Sequence, residues 1–414
     1  MANTPGRFII IVLDGFGVGT MPDVGEVRPA DTGANTCRSI FAHRPDLYLP
    51  SLEKLGLVNV AGHAGSLGKA MREAPDALCG KAMLMHFGAD TFFGHQEIMG
   101  TLPRKPFAEP FRNTLSAAEN ALRTQGFSIR RHKAGGNELL VVDEAATVAD
   151  NLEADPGQAI NVTAALDDMD FDRVREIGRL VRGQSKVPRI IAFGGRGVHL
   201  ENLLAAVEVR GELAGVNAPA SGVYANDYHC VHMGYGVNPD VQVQSILGKA
   251  GVPVFLLGKA ADVIANPYGA SFPMVDTEAV LDKTQELVRQ NPTGFFCANV
   301  QETDLCGHRE DIDCYAGKLL AADRGIAALL DALSPQDILV VMADHGNDPT
   351  IGHPHHTREL VPLLVRAAHK GPLDIGIRTT LSDVGTSAAD YFHTSPPENG
   401  TSFLPLLTAN TVQA

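Results

Sequence analysis

The densest set of potential metal ligands in the chain lies near its C-terminus. There the apolar run Asp337-Ile-Leu-Val-Val-Met-Ala343 leads into Asp344-His345-Gly-Asn-Asp348 and then His353-Pro-His-His356-Thr-Arg-Glu359. Carboxylate and imidazole groups suit borderline divalent cations, and the carboxyl end of a buried strand is where open α/β sheets bind ligands. Two further segments repeat the arrangement. Arg7-Phe-Ile-Ile-Ile-Val-Leu13 is a continuous, β-branched run of the kind found in central parallel strands, and it ends in Asp14-Gly-Phe-Gly17. Thr293-Gly-Phe-Phe-Cys-Ala-Asn-Val300 leads into Asp304 and His308. Three strand ends are therefore expected to converge on one metal site, in preference to a reading of these histidines as solvated or core residues.

A nucleophile is offered by Gly88-Ala-Asp90-Thr91-Phe-Phe-Gly94-His95-Gln-Glu97. Beside a divalent cation the Thr91 hydroxyl loses its proton more easily, and its oxygen becomes competent to attack phosphorus. Read alone, Asp90-Thr91 equally describes the cap of a helix starting near Phe92. The two readings are compatible, because a helix start also sets developing phosphate charge against backbone N–H groups.

The elements that must position these residues follow from the hydrophobic pattern. Val252-Pro-Val-Phe-Leu-Leu-Gly258 reads as another core strand, and Tyr315 to Leu333 carries apolar residues at helical spacing. Strands alternating with helices imply an α/β fold with a mostly parallel sheet covered by helices on both faces. Between the strand-and-ligand segments lies a stretch with its own pattern. It contains helix-like Asn113 to Thr124, strand-like Ser128-Ile-Arg and Glu138-Leu-Leu-Val-Val142, helical Asp172 to Arg182, and Val187-Pro-Arg-Ile-Ile-Ala192. The expected organisation is a discontinuous metal-binding core over 1–104 and 225–414, with a smaller α+β cap inserted over 105–224. Gly194-Gly-Arg-Gly197 reads as a loop and matches no nucleotide-binding spacing.

Composition narrows the function classes. A chain of 414 residues that is 44% hydrophobic can bury a large core, and its length favours two domains. A formal charge of -14 argues against a nucleic-acid footprint, which needs clustered Lys and Arg. No run is long enough for a membrane span, and the opening seven residues are too short and polar for a signal peptide. The six cysteines lack CxxC spacing, which favours free thiols in a reducing, cytoplasmic setting, with Cys306 a small buried residue between two ligands.

Taken together, Asp14-Gly-Phe-Gly, Ala-Asp-Thr91 with Gly-His-Gln-Glu97, Asp304 with Gly-His308-Arg, Met342-Ala-Asp-His-Gly-Asn-Asp-Pro-Thr350, His356-Thr-Arg-Glu359 and Leu381-Ser-Asp-Val-Gly-Thr386 resemble the phosphopentomutases of the alkaline phosphatase superfamily. The resemblance spans nearly the whole chain and implies an alkaline-phosphatase-like core. It further implies two divalent cations, usually manganese, one held by Asp14, Asp344 and His345 with the Thr91 oxygen, the other by Asp304, His308 and His356. Thr91 would carry the phosphoryl group, a sugar bisphosphate would act as activator, and ribose 1-phosphate and ribose 5-phosphate would interconvert. Asp155 and Lys259 match positions that the family uses near the pentose phosphate. By the same comparison, His353 and His355 are supporting or surface residues, and His95, His229 and His232 are equally readable as structural histidines.

Three departures bear on the substrate. The family carries a Lys before Asp-Thr and a Trp after Gly-His, whereas this chain has Ala89 and Gln96 and contains no Trp. Phe193 stands where the family's cap presents a phosphate-gripping Arg, and Phe cannot supply the bidentate fork. Arg196 nearby reads either as a replacement grip or, more blandly, as an exposed loop residue. The leading expectation is a phosphomutase acting on a small phosphorylated sugar. The alternatives are a metal-dependent phosphohydrolase, in which water is the acceptor, and an idle metal-binding protein, against which the complete ligand set argues.

Overall fold

Seven residues of near-unbroken hydrophobicity make Arg7–Leu13 a strand that is buried along its whole length, and Gly294–Val300 and Ile338–Met342 are buried in the same way. In the computed structural model, which describes residues 5–61, 66–153, 156–369 and 371–408, Arg7–Leu13 lies parallel between the other two. The registers Leu13 to Val300 and Val12 to Met342 bring the three carboxyl ends level. Arg7 and Asp337 hold the opposite ends: the Arg7 amide donates to Asp337 Oδ1 at 2.8 Å and its Nε to Oδ2 at 3.1 Å. Aligned starts and matched lengths are what make the ends coincide.

The full sheet has eight strands, in the order Ala270–Phe272, Val254–Leu257, Gly294–Val300, Arg7–Leu13, Ile338–Met342, Val361–Arg366, Leu78–Ala82, Leu373–Arg378. Val361–Arg366 runs antiparallel to both of its neighbours and the remaining pairings are parallel, so the sheet is mostly parallel as expected. Helices including Thr277–Gln290 and Ile312–Ala332 pack their buried residues into the same continuous hydrophobic core as the strands. Among the described residues no helix is long and apolar enough to cross a membrane.

The chain divides into two compact units, one of Met1–Pro103 with Asn238–Ala414, the other of Arg104–Val237. The second unit holds a six-stranded sheet in the order His229–Gly234, Arg189–Gly195, Ala159–Ala165, Ala146–Asp150, Asn137–Val142, Ile129–Ala134. Helices Leu115–Thr124 and Phe171–Arg182 share its hydrophobic core. The return to the first unit falls at Asn238 and not near 225, because His229–Gly234 pairs antiparallel with Arg189–Gly195 and so extends the smaller sheet. Gly194 and Gly195, expected in a loop, are strand residues. A Cβ at Gly195 would collide with the carbonyls of Val223 and Asn226, and one at Gly194 with that of Ala164, so close backbone approach selects glycine there.

Candidate metal centre

Each ligand candidate is placed by an element at the carboxyl edge of the larger sheet or by the segment next to it. Asp14 comes directly after Arg7–Leu13, and Asp344 and His345 come just after Ile338–Met342. Asp304 and His308 lie one turn apart on helix Glu302–His308, which follows Gly294–Val300. His356 arrives on the loop that precedes Val361–Arg366.

The side chains form two groups. In Asp14, Asp344 and His345, all buried, one ligand atom from each lies within 4.8 Å of the others, and the same holds for Asp304, His308 and His356. His345 Nε2 is 3.4 Å from Asp14 Oδ1 and 3.2 Å from Asp344 Oδ2. In the second group, His308 Nε2 and His356 Nε2 each stand 3.3 Å from an Asp304 oxygen and 3.0 Å from one another.

The tautomers of these three histidines are fixed by their backbone partners. Nδ1 of His308 faces the Pro354 carbonyl at 2.7 Å, that of His356 the Ala89 carbonyl at 2.8 Å, and that of His345 the Gly346 carbonyl at 3.0 Å. A carbonyl only accepts, so each Nδ1 carries the hydrogen and each Nε2 turns its lone pair towards the carboxylates. His345 Nε2 and Asp14 Oδ1 are buried without a hydrogen-bond partner. Lone pairs from imidazole and carboxylate that converge and lack donors fit a divalent cation, and they are costly without one.

Charge in the site follows from burial and proximity. Burial alone would raise Asp344, but His345 and His95 hold its carboxyl well below the usual range, and His308 and His356 do the same for the buried Asp304. Burial opposes charge on His345 as well, yet Asp344 and Asp14 push it well above the ordinary imidazole value. A proton on Nε2 and a cation are alternatives for the same position.

Thr91 is the first residue of helix Thr91–Ile98. Asp90 alone performs the capping, its side chain accepting from the Phe93 amide at 3.0 Å. That leaves the Thr91 hydroxyl to donate to Asp344 Oδ2 at 2.7 Å, with Lys259 Nζ at 3.2 Å from the same oxygen. Lys259 also reaches Asp14 Oδ2 at 2.8 Å and Asp304 Oδ2 at 3.4 Å. Burial disfavours its charge, but Asp14 and Asp304 raise its pKa overall. Gly258, at φ +65°, turns the chain into the Lys259 helix so tightly that a Cβ would strike the Asn299 carbonyl.

Sequence reasoning missed the residues that hold these groups. Asn347 Nδ2 donates to Asp304 Oδ1 at 2.8 Å, Asn299 Nδ2 to Asp14 Oδ2 at 3.0 Å, and Thr303 Oγ1 to the Asp14 carbonyl at 2.7 Å. The buried Arg358 bridges Asp23 and the carbonyls of Leu84, His86 and Gly88, which fixes the segment leading to Thr91. The signal for Arg358 was its place in the Thr-Arg-Glu motif; Asn299 sits inside an apolar strand and gave none. His95, readable as structural, is buried with Nδ1 on the Thr91 carbonyl at 2.8 Å, and His353 pairs with Asp31.

Other expectations resolve less favourably. Asp155 lies outside the described residues. Phe193 is buried against Tyr224 and Tyr228, with ring centroids 5.8 and 6.0 Å away, and Arg196 is engaged by Asp227 and Asp167 on the surface. Cys306 and Cys314 form a disulfide, which corrects the expectation that all six cysteines are free thiols: Asp311–Cys314 turns back onto the preceding helix and brings the two Cα atoms to 5.6 Å. Spacing of eight residues gave no hint of that return.

Carboxylates and imidazoles in two groups, one of them fully buried, beside a hydroxyl define a metal-dependent enzyme site, and the sequence profile of the Metalloenzyme superfamily matches residues 6–396. The chain is 31% identical over 405 residues to the phosphopentomutase of Desulfitobacterium hafniense, covering 96% of this chain and 98% of that protein. It is 30% identical over 413 residues to that of Symbiobacterium thermophilum, covering 96% and 97%. Among solved structures, Leishmania mexicana phosphoglycerate mutase aligns over 97% of this chain and 98% of that one, at 13% identity and a TM-score of 0.46. The chain therefore belongs to the phosphopentomutase family of the metalloenzyme superfamily, and is a metal-dependent phosphomutase.

Proposed function

We propose that the chain transfers a phosphoryl group within a pentose phosphate or a closely related sugar phosphate, by way of phosphothreonine at Thr91. The observation that carries this reading is the hydroxyl itself. Thr91 Oγ1 is relieved of capping by Asp90, donates to Asp344 Oδ2 at 2.7 Å, and has the Lys259 ammonium at 3.2 Å. Asp14, Asp344 and His345 would hold one divalent cation and Asp304, His308 and His356 a second, with manganese the expected metal. When bound, such a pair supplies positive charge that polarises phosphoryl oxygens and stabilises the attacking and leaving oxygens of an in-line displacement.

The remaining steps belong to the protein. Asp344 accepts the hydrogen bond of the Thr91 hydroxyl and so orients Oγ1; as Oγ1 bonds to phosphorus and the bond from phosphorus to the donor oxygen breaks, the hydroxyl proton passes to that donor oxygen. The start of helix Thr91–Ile98 and the Lys259 ammonium both favour the negative charge gathered on the transferred group. In the return step a free sugar hydroxyl takes the phosphoryl group from Thr91, and the bisphosphate so formed gives its other phosphoryl group back to Thr91. A trace of sugar bisphosphate thus primes the cycle. Lys259, 3.2 Å from Thr91 Oγ1, would face the sugar phosphate.

Phosphorus NMR of manganese-loaded protein with ribose 1-phosphate and a trace of sugar bisphosphate tests this. Growth of a ribose 5-phosphate signal is the expected result. Release of inorganic phosphate would replace the mutase with a hydrolase, and an unchanged spectrum would remove pentose phosphates as substrates.

A further inference from the structure

The nucleophile helix contains a buried side chain that the chemistry above does not use. Gln96 lies on Thr91–Ile98, is 2% exposed, and donates from Nε2 to the Val263 carbonyl at 2.7 Å. Val263 is the last residue of Lys259–Val263, the short helix whose first residue is the lysine beside Thr91. One carboxamide therefore joins the two helices that carry Thr91 and Lys259.

Gln96 does not act alone. Its Oε1 accepts from Gln242 Nε2 at 2.7 Å, and Gln242 Nε2 also donates to Thr101 Oγ1 at 2.8 Å. Gln242 Oε1 in turn accepts from Gln244 Nε2 at 2.9 Å, and Gln244 Nε2 donates to the Ala265 carbonyl at 2.9 Å. Gln242 and Gln244 are fully buried. The orientation of every amide is forced. Val263 and Ala265 present only carbonyl oxygens, so Gln96 and Gln244 must turn their NH2 groups to them, and Gln242 must donate to Gln96 and accept from Gln244. The chain of amides thus satisfies the Val263 carbonyl at the end of the Lys259 helix and the Ala265 carbonyl just beyond it. A directed, buried network of this kind specifies one arrangement and is intolerant of a reversed member.

The geometry points to Gln96 as a positioning residue: through the Val263 carbonyl it fixes the Lys259 helix, and so holds the Lys259 ammonium against the Thr91 hydroxyl. The inference rests on Thr91 being the phosphoryl acceptor only for its kinetic readout. It also accounts for a polar residue at a position where the resembling family has Trp: an amide there is tied to Gln242 and Gln244, and the three act together.

The test uses manganese-loaded protein with Gln96→Met and Gln96→Glu, which keep the side-chain length while removing the donor. The first readout is the rate at which an amine-acylating reagent modifies Lys259, followed by peptide mass spectrometry. The second is the rate of Thr91 phosphorylation by a sugar bisphosphate, and this rate alone is also measured in the Lys259→Met background. Loss of a buried neutral hydrogen bond predicts Lys259 modification about fivefold faster and Thr91 phosphorylation about tenfold slower, with KM within about twofold. In the Lys259→Met background the Gln96 substitution should have no further effect on phosphorylation, because a residue acting through Lys259 has nothing left to position. Gln244→Glu, at the far end of the network, should change Lys259 modification in the same direction by less, and serves if the Gln96 variants fail to fold. Unchanged Lys259 modification, or an equal loss in both backgrounds, overturns the inference. If the native protein never phosphorylates Thr91, the proposed function fails instead, and Lys259 modification alone decides the role of Gln96.

Discussion

Replacing Glu97 with Gln should destabilise the protein far more than so conservative a change suggests. Glu97 lies in the last turn of helix Thr91–Ile98 and is fully buried. Its Oε1 accepts from the Met85 amide at 3.0 Å, the Thr380 hydroxyl at 2.6 Å and the Leu381 amide at 2.9 Å. Its Oε2 accepts from the His86 amide at 2.9 Å and His86 Nδ1 at 2.8 Å. Burial raises its pKa, but His86 and Thr380 more than offset this, so the carboxyl stays below its ordinary value. A Gln amide must direct its NH2 at one of these two sets, setting it against the Met85 and Leu381 amides on one side, or against the His86 amide, with the His86 ring forced to its other tautomer, on the other. At about 1–3 kcal/mol for each unsatisfied group, the loss is about 4 kcal/mol. That is a large part of a typical stability of about 5–15 kcal/mol. At about 2.1 cal/mol/K per residue over a unit of this size, the melting temperature should fall by about 7 °C. Because the chain contains no Trp, the transition is best followed by far-UV circular dichroism. A melting temperature within about 2 °C of the native protein would refute the claim that this carboxylate clamps the segments around 85–86 and 380–381 to the helix.

Thr91→Ala should abolish phosphoenzyme formation and turnover while leaving bound metal at the native level, since both three-residue groups of carboxylates and imidazoles are intact; loss of metal on analysis of the purified variant would contradict the separation of roles. With a second cation held by Asp304, His308 and His356 as proposed, His308→Ala should lower metal content by about half and leave the proposed Asp14 site loaded, as read by elemental analysis. Asp337 is buried, which alone raises its pKa, but Arg7 and Ser334 bring it below the ordinary value. Its stabilisation is therefore fully present above the unfolded value of about 3.9 and is lost as pH falls through the lower folded value. Asp337→Asn should weaken the protein at pH 7 by about 3–5 kcal/mol and flatten the acid dependence of stability, measured by urea unfolding from pH 7 to pH 3.

The legible parts of the chain were those where one physical demand dominates. Interior parallel strands must be apolar on both faces, so Arg7–Leu13, Gly294–Val300 and Ile338–Met342 stand out as continuous runs, and acids and imidazoles directly after them mark the site. In the smaller unit, Ala146–Asp150 and Ala159–Ala165 went unread because their Ala, Asn and Asp residues carry little β signal, and their strand state comes from pairing with neighbours. The same cause shifted the boundary of that unit, since His229–Gly234 is a strand by virtue of Arg189–Gly195. Gln96, Glu97 and Asn299 were invisible as supports because their partners are hundreds of positions away or on other elements, and only the fold brings them together. The Cys306 to Cys314 pairing depends on a helix-to-helix turn that spacing does not encode.

The central claim, that phosphoryl groups pass through Thr91, is tested most directly by peptide mass spectrometry of the manganese-loaded protein quenched during turnover of a sugar phosphate with a trace of sugar bisphosphate. Phosphate should appear on the peptide containing Thr91 and disappear when acceptor sugar phosphate is added in excess. Sustained turnover with Thr91 unmodified at every time point, or undiminished turnover by Thr91→Ala, would contradict the account.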